Sequence, residues 1–398
     1  MERRTLRLDG FDPAIARRMA TTVSCTDADD LPKVEGAGDV REVNGHRVQV
    51  MHNGLLVEEG GYFGAWMAEI IRALRGHHEP QEELVFARIV ERLRADAPRQ
   101  PTMIEFGSHW TFYSLWFCTE LGGARAVGLE PDPAFLEVGR RNAALNDLTD
   151  RVTFVHGAVG GPPGESLEFV AESDGQRHQV AQHDLASLMR EHDLDHVDLV
   201  LSDIQGFETV LLDRARGDLV AGRVRFLIVS THHRAISGDP LTHQKALRLL
   251  VAAGAHVIAE HSVPESYSGD GLIAVSFDPR DRDLTVTVSH ARSVDSLFGE
   301  LEHEVAALQA EHAGSERANA EHLAHELQQL GASMHTDLDR TRAEGDGAVA
   351  ERDAAVAQRD AAVAQRDAAV AELAAVRATK LWRWSGGPRA LYARVARR

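Results

Sequence analysis

The stretch from Met103 to Pro131 constrains the fold more than any other. Met103-Ile104-Glu105-Phe106 is a short, largely apolar run that leads into Gly107-Ser108, where the backbone can turn sharply. Trp110 to Leu121 carries enough apolar surface for a helix packed on a sheet. Ala126-Val127-Gly128-Leu129 then reads as a second buried strand, with Glu130 and Pro131 at its carboxyl end. An acid there, 23 residues after the turn glycine, stands where a doubly wound sheet places a ribose-hydroxyl acceptor. A dinucleotide site wants spaced glycines, so that a pyrophosphate can reach the helix amino end. Ser108-His109-Trp110-Thr111 supplies none after Gly107. A phosphate-free nucleoside ligand such as S-adenosylmethionine needs only one close approach near Gly107 and the acceptor Glu130. The same turn also suits an ordinary strand-to-helix connection.

A chain of 398 residues with 43% apolar content has room for about two or three domains and a sizeable core. The net charge of −18 is unevenly spread, because Arg377 to Arg398 holds seven basic and no acidic residues. An acidic body repels nucleic acid, so no nucleic-acid partner is expected. Cys25 and Cys118 are too few for a disulfide framework or a thiolate zinc site. With no apolar leader and no run of 18 apolar residues, a cytoplasmic chain without a membrane span is expected.

Four segments follow from the patterning. Residues 1–100 read as an amino-terminal cap: a small hairpin within Val40 to Val57, then amphipathic helices over Phe63 to Arg75 and Glu82 to Ala95. Between the helices, Gly76-His77-His78-Glu79-Pro80-Gln81-Glu82-Glu83 fits a capped helix start, and equally a lid carrying imidazoles and carboxylates toward a crevice. Residues 101–290 alternate strands and helices, which predicts an α/β, doubly wound, mostly parallel sheet of Rossmann-like type covered on both faces. Ser166 to Val170 and His178 to Ala181 read as a peripheral hairpin.

Residues 291–378 change character. Leu323, Leu327, Leu330, Met334 and Leu338 keep roughly heptad spacing, and AVAQRDA then repeats every seven residues. The thin alanine seam suits a coiled coil joining copies of the chain, or else a solvated single helix, since alanine buries little area. Residues 379–398 interleave Trp, Leu and Tyr with arginines. This basic, aromatic tail suits the headgroup layer of an anionic membrane or docking on the acidic body.

Ligands of an open parallel sheet lie outside the carboxyl ends of its strands. Collecting those ends separates two groups. Glu105, Gly107, Ser108, Glu130, Pro131 and Ala158 would serve the cofactor, with Asp203 beside them. Asp203, His232, His233 and His261 come from later strands and would face an acceptor, where a hydroxyl must lose its proton as it attacks a methyl group. Asp203 could instead cap the next helix, and the histidines could be loop residues bonded to backbone. A divalent metal on Asp203 and these imidazoles is open but not demanded by any tight ligand spacing.

IEFGSHWTFYS, VGLEPDP, RRNAALN and LSDIQGFETVLL together resemble the FkbM family of S-adenosylmethionine-dependent methyltransferases, from about Met103 to Phe277. Asp203-Ile204-Gln205-Gly206-Phe207-Glu208 is similar to the family's Asp-x-Glu-Gly-x-Glu stretch, with Gln205 in place of a Glu. Thr111 stands where the family's second turn glycine is usual. Gly76 to Glu83, Thr231 to Gln244 and Ser266 to Ile273 resemble a polysaccharide-associated branch, and the tail resembles those of bacterial surface-glycan enzymes. The resemblance implies methylation of a hydroxyl on a glycan or small-molecule acceptor. In it Glu130 would hold the ribose, Glu105 and Gly107 the methionine part, and Ala158 the edge of the adenine. A scaffold assembled through the coiled coil is the alternative from another class. A nicotinamide-dependent oxidoreductase is disfavoured by the missing glycines.

Overall fold

The computed structural model describes residues 5–96, 100–239, 241–291, 312, 314–320, 322–329 and 348–378. Residues 1–293 form one compact unit and 294–398 another. In the first, helix α1 (Pro13–Ser24) starts where the Asp12 side chain accepts the Ala14 N–H, with proline in its first turn. Strands β1 (Val40–Val43), β2 (His46–Val50) and β3 (Leu56–Glu58) form an antiparallel meander rather than a single hairpin. Helices α2 (Ala65–Ala73) and α3 (Pro80–Asp96) follow.

The main sheet is built from β4 (Thr102–Phe106), β5 (Arg125–Glu130), β6 (Val152–Ala158), β7 (Ser166–Val170), β8 (Arg177–Gln182), β9 (Val197–Ser202), β10 (Val224–Thr231), β11 (His256–His261) and β12 (Gly271–Ser276). Its order is β11-β12-β10-β9-β4-β5-β6-β8-β7. The run from β10 through β9, β4, β5 and β6 to β8 is parallel, while β12 is antiparallel to both β10 and β11. The hairpin β7–β8 extends this sheet through the parallel β6–β8 pair. Helices α4 (Phe112–Glu120), α5 (Pro133–Leu145), α6 (Leu185–Glu191), α7 (Glu208–Val220), the short α8 (Arg234–Ser237) and α9 (Thr242–Ala252) connect the strands.

Strand alternation sends residues to two cores. Leu199, Leu201, Phe226, Ile228 and Ala274 pack with α1–α4, whereas Ile104, Phe106, Val200, Leu227, Val229 and Ile273 pack with α6, α7 and α9. The amino-terminal segment shares the first core, with Met19, Met51, Ile70, Phe86 and Ile89 beside Trp116. Two asparagines of RRNAALN lock the meander to α5. Asn142 accepts the Glu58 N–H and donates to the Trp110 carbonyl, and Asn146 brackets Leu56 through its N–H and carbonyl. In the second unit, α10 (Ala348–Ala378) is one continuous helix of 31 residues, and residues 314–320 and 322–329 are also helical. Leu330, Met334, Leu338 and the tail 379–398 lie outside the described residues.

Candidate active site

The turn after β4 is set by close backbone packing. Gly107 has φ +77°, and a Cβ there would stand 1.9 Å from the Asp203 carbonyl oxygen. The Asp203 N–H in turn donates to the Phe106 carbonyl at 2.9 Å, so the ends of β4 and β9 are fastened together. Gly107 and Ser108 both donate N–H to the Leu129 carbonyl, fastening the same turn to β5. Thr111, at the glycine-like position of the motif, adopts φ 68°, a left-handed backbone that a side chain rarely takes.

The cofactor-side residues divide by what their side chains touch. Glu130 is buried at the end of β5, and its carboxylate accepts the His109 N–H at 2.9 Å and the Asp132 N–H at 2.8 Å. Burial pushes its carboxyl up to about 8, against those two hydrogen bonds. Glu105 is turned into the protein instead: its carboxylate accepts the Ser114 N–H at 3.1 Å and the Ser114 hydroxyl at 2.5 Å, in the first turn of α4. Burial raises it to about 8 as well. Its described hydrogen bonds are with the start of α4, and Glu82 and Asp203 act on it from the strand ends. Pro131 directs its carbonyl to His156 Nε2 at 3.0 Å, and the Ala158 carbonyl accepts the His183 N–H at 2.8 Å.

On the other side of the crevice, His232 is buried with both ring nitrogens on carboxylates. Nδ1 lies 2.6 Å from Glu208 Oε1, and Nε2 lies 3.0 Å from Asp203 Oδ1 and 3.7 Å from Asp270 Oδ1. Burial opposes its charge, but Asp270, Asp203 and Glu208 outweigh burial and hold the imidazole protonated well above its ordinary range. Glu208 sits in the first turn of α7, where Oε1 also accepts the Gly206 N–H at 3.0 Å. Asp203 keeps about a third of its side chain exposed, so it is the member of the chain that faces solvent.

The other two histidines are placed differently. The His233 carbonyl closes the α8 turn by accepting from Ile236 and Ser237. His261 lies on the edge strand β11, with β12 between it and β10; its Nδ1 meets the Ser262 carbonyl, and its charged neighbours are His243, Glu265 and His290. The structure therefore brings Asp203 and His232 together and leaves His261 apart from them.

Glu208, Asp270, Glu79 and Glu82 are members of this cluster that strand-end reasoning missed. Because β12 runs antiparallel, Gly271 at its start pairs with Thr231 at the end of β10, which delivers Asp270 beside His232. The turn Ser268-Gly269-Asp270-Gly271 was a visible signal, but only the strand direction gives it meaning. The segment Gly76 to Glu83 forms the start of α3, and one of its carboxylates reaches the strand ends while His77 and His78 stay on Glu83. Glu83 accepts the His78 and Glu79 N–H groups at the start of α3 and pairs with His77. Glu82, meanwhile, accepts the Ser230 hydroxyl of β10 at 2.6 Å. Among the described residues, the group whose donor atoms converge within 4.8 Å as metal ligands would is His52, His77 and Glu83, not Asp203 with the imidazoles.

A parallel sheet with an antiparallel closing strand, a one-glycine turn and an acid ending the second strand defines the Rossmann-like, S-adenosylmethionine-dependent methyltransferase class. Residues 94–257 match the family model described as the methyltransferase FkbM domain. The release factor glutamine methyltransferase of Chlorobaculum tepidum is 30% identical over 95 residues, 21% of this chain. The chain spans about a third (32%) of the length of that curated relative. Among solved structures, an O-methyltransferase from Bacillus cereus in complex with SAH is similar at 16% identity, covering 48% of this chain and 80% of that one with a TM-score of 0.32. A precorrin-6y C5,15-methyltransferase from Geobacter metallireducens is similar at 17% identity, covering 48% and 87%, with a TM-score of 0.31.

The residues present fit S-adenosylmethionine. Ser108 Oγ is a buried atom of the turn without a protein partner, and the Glu130 carboxylate retains lone pairs beyond its two N–H bonds. An unsatisfied hydroxyl and a buried carboxylate at one turn suit a polar ligand there.

Proposed function

We propose that the chain is an O-methyltransferase whose acceptor is a sugar hydroxyl of a cell-surface glycan or glycolipid precursor. The observation that carries this reading is the Asp203–His232–Glu208 chain at the carboxyl ends of β9 and β10. S-adenosylmethionine, when bound, supplies a methyl group made electrophilic by its sulfonium. Glu130 would hold the ribose hydroxyls, and Ser108 and the backbone around Gly107 the remainder near the turn. Asp203, the exposed member, would accept the acceptor hydroxyl as a hydrogen bond and take its proton as the oxygen attacks. His232 has both nitrogens engaged on carboxylates, so its part is to orient Asp203 and balance its charge rather than to act as the base. Glu208 holds His232 in that orientation, and the rest of the catalysis is alignment and exclusion of water.

Transfer of labelled methyl to a lipid-linked glycan extract, followed by mass analysis of the product, tests the reading. Asp203→Asn should lower transfer by at least about a hundredfold. Glu208→Gln should lower it by about tenfold or more while the affinity for S-adenosylmethionine stays within about twofold. Undiminished transfer by Asp203→Asn would sink the assignment. The heptads would join copies of the chain, and the basic tail would rest on the inner face of an anionic membrane, which suits a cytoplasmic enzyme with a lipid-linked acceptor. No described helix is long and apolar enough to cross a membrane.

A further inference from the structure

The amino-terminal segment builds a rim whose contacts run from the cofactor turn to the acids around His232. Tyr62 stacks on Trp110 with ring centroids 4.6 Å apart. Phe63 lies 5.5 Å from the ring of His109, whose backbone N–H is held by Glu130. Trp66 follows at 5.8 Å from Phe63, and the Arg18 guanidinium from α1 lies 5.3 Å over the Trp66 ring. Arg18 Nε donates to the Ser268 carbonyl at 2.9 Å, and a Cβ on Gly269 would meet its terminal nitrogen at 3.2 Å. The guanidinium thus lies along the turn that delivers Asp270 to His232. The charges acting on buried Tyr62 are Glu79, Asp203 and Asp270 on one side and Arg18 on the other, so this rim and those acids share one space.

Two residues of the rim are poorly explained by folding alone. Phe63 has φ +49°, a left-handed backbone that suits glycine or asparagine, and its side chain is left 39% exposed. Arg18 is half-buried, yet among the described residues Nε is its bonded nitrogen, and its two terminal nitrogens have no acceptor.

We propose that Phe63 and Arg18 form the platform that selects the acceptor: a neutral pyranose lays its C–H face on the Phe63 ring while Arg18 donates to two of its hydroxyls. The inference rests on the reading of the chain as a sugar O-methyltransferase and adds the residues that hold the sugar. A pyranose has an apolar C–H face and a rim of hydroxyls, which match an open aromatic ring beside a planar fork of N–H donors. Asp270, on the far side of the same turn, supplies the complementary acceptor. A neutral ring suits the place better than an anion, because Glu79, Asp203 and Asp270 outnumber Arg18 there. Trp66 touches no sugar in this arrangement; it holds Phe63 and Arg18 at their spacing.

The test is labelled-methyl transfer from S-adenosylmethionine to a titrated lipid-linked glycan extract by the full chain, with isothermal titration of S-adenosylhomocysteine into each variant. Phe63→Leu keeps an apolar side chain without the ring, Phe63→Tyr keeps the ring, and Arg18→Gln removes the fork. Phe63→Leu and Arg18→Gln should each raise the extract needed for half-maximal transfer about tenfold, with the limiting rate within about threefold. Phe63→Tyr should stay within about twofold of the unsubstituted chain in both. S-adenosylhomocysteine affinity held within about twofold shows that the variants are folded and that the loss lies on the acceptor side. Half-saturation in Phe63→Leu equal to that in Phe63→Tyr, or unchanged in Arg18→Gln, overturns the platform. So does a loss of S-adenosylhomocysteine affinity in Phe63→Leu as large as the loss toward the extract, which would assign the ring to the cofactor. Failure of the unsubstituted chain to bind either nucleoside removes the methyltransferase reading, and binding without a methylated sugar in the extract removes the sugar reading; each takes this inference with it. Sugar methylation that the three variants leave unchanged removes the inference alone.

Discussion

Gly107 illustrates how one residue carries two constraints. Its φ of +77° excludes most side chains, and the Asp203 carbonyl occupies the space a Cβ would need. Gly107→Ala should therefore destabilise the fold by roughly 2–4 kcal/mol, read as a shift in urea midpoint at unchanged slope. A loss below about 0.5 kcal/mol would mean that β4 and β9 separate more easily than their packing indicates. Thr111 and Gln205 hold left-handed conformations of φ 68° and 51° without a glycine's freedom. Both stand where the resemblance to the FkbM pattern breaks, and a left-handed backbone at a non-glycine residue stores strain.

At the scale of elements, α5 is the piece that ties the site to its surroundings. Asp132 caps it by accepting from Ala134 N–H at 2.9 Å, and also binds the Ser173 N–H at 3.0 Å and hydroxyl at 2.7 Å. Asp132→Ala should cost about 1–2 kcal/mol in chemical denaturation, and it should loosen the nearby Glu130 turn enough to weaken S-adenosylmethionine binding a few-fold. Helix α10 poses the opposite case, for Val356 and Val370 stay open to solvent, at 41% and 57%, and Val363 is only half-buried. A lone helix of this composition gains little from its alanines, and we propose that its heptads join copies of the chain.

The whole molecule carries an unusual balance of buried ionisable groups. Glu105 and Glu130 are raised to about 8 and Glu82 to about 7 by burial, while burial lowers His52 to about 3 and His109 to about 4. For the carboxyls the folded state binds more protons than the unfolded one above their ordinary pKa of 4.5, so stability falls as pH rises from there toward about 8. For the histidines the unfolded state binds more, so stability falls as pH drops below 6.5. Thermal denaturation should accordingly show a maximum near mildly acidic pH, at about pH 5–6. Glu105→Gln keeps an acceptor for Ser114 and removes the cost of ionising a buried acid. It should raise stability by about 1–3 kcal/mol at about pH 8 and change little at about pH 5. A flat profile in both proteins would refute the assignment of a protonated Glu105.

Local patterning was enough for the alternation of strands and helices, for a sheet buried on both faces, and for the acid closing β5, because these follow from side-chain periodicity and chain-local turns. Residues such as Asp203 and His232 could be gathered as strand ends by the same logic. What local patterning could not supply was direction and depth. The reversed run of β12 brings Asp270 to His232, and the edge position of β11 keeps His261 away. Glu105 is legible as a strand end, but its bond to Ser114 at the start of α4 shows only in the fold. Glu79 and Glu82 join the site only because α3 packs with the first core and sets its amino end against β10. Periodicity is written residue by residue and needs no partner to be read. Pairing direction, edge position and the meeting of distant charges are properties of a surface that exists only once the chain has folded, and the tertiary structure alone decided them.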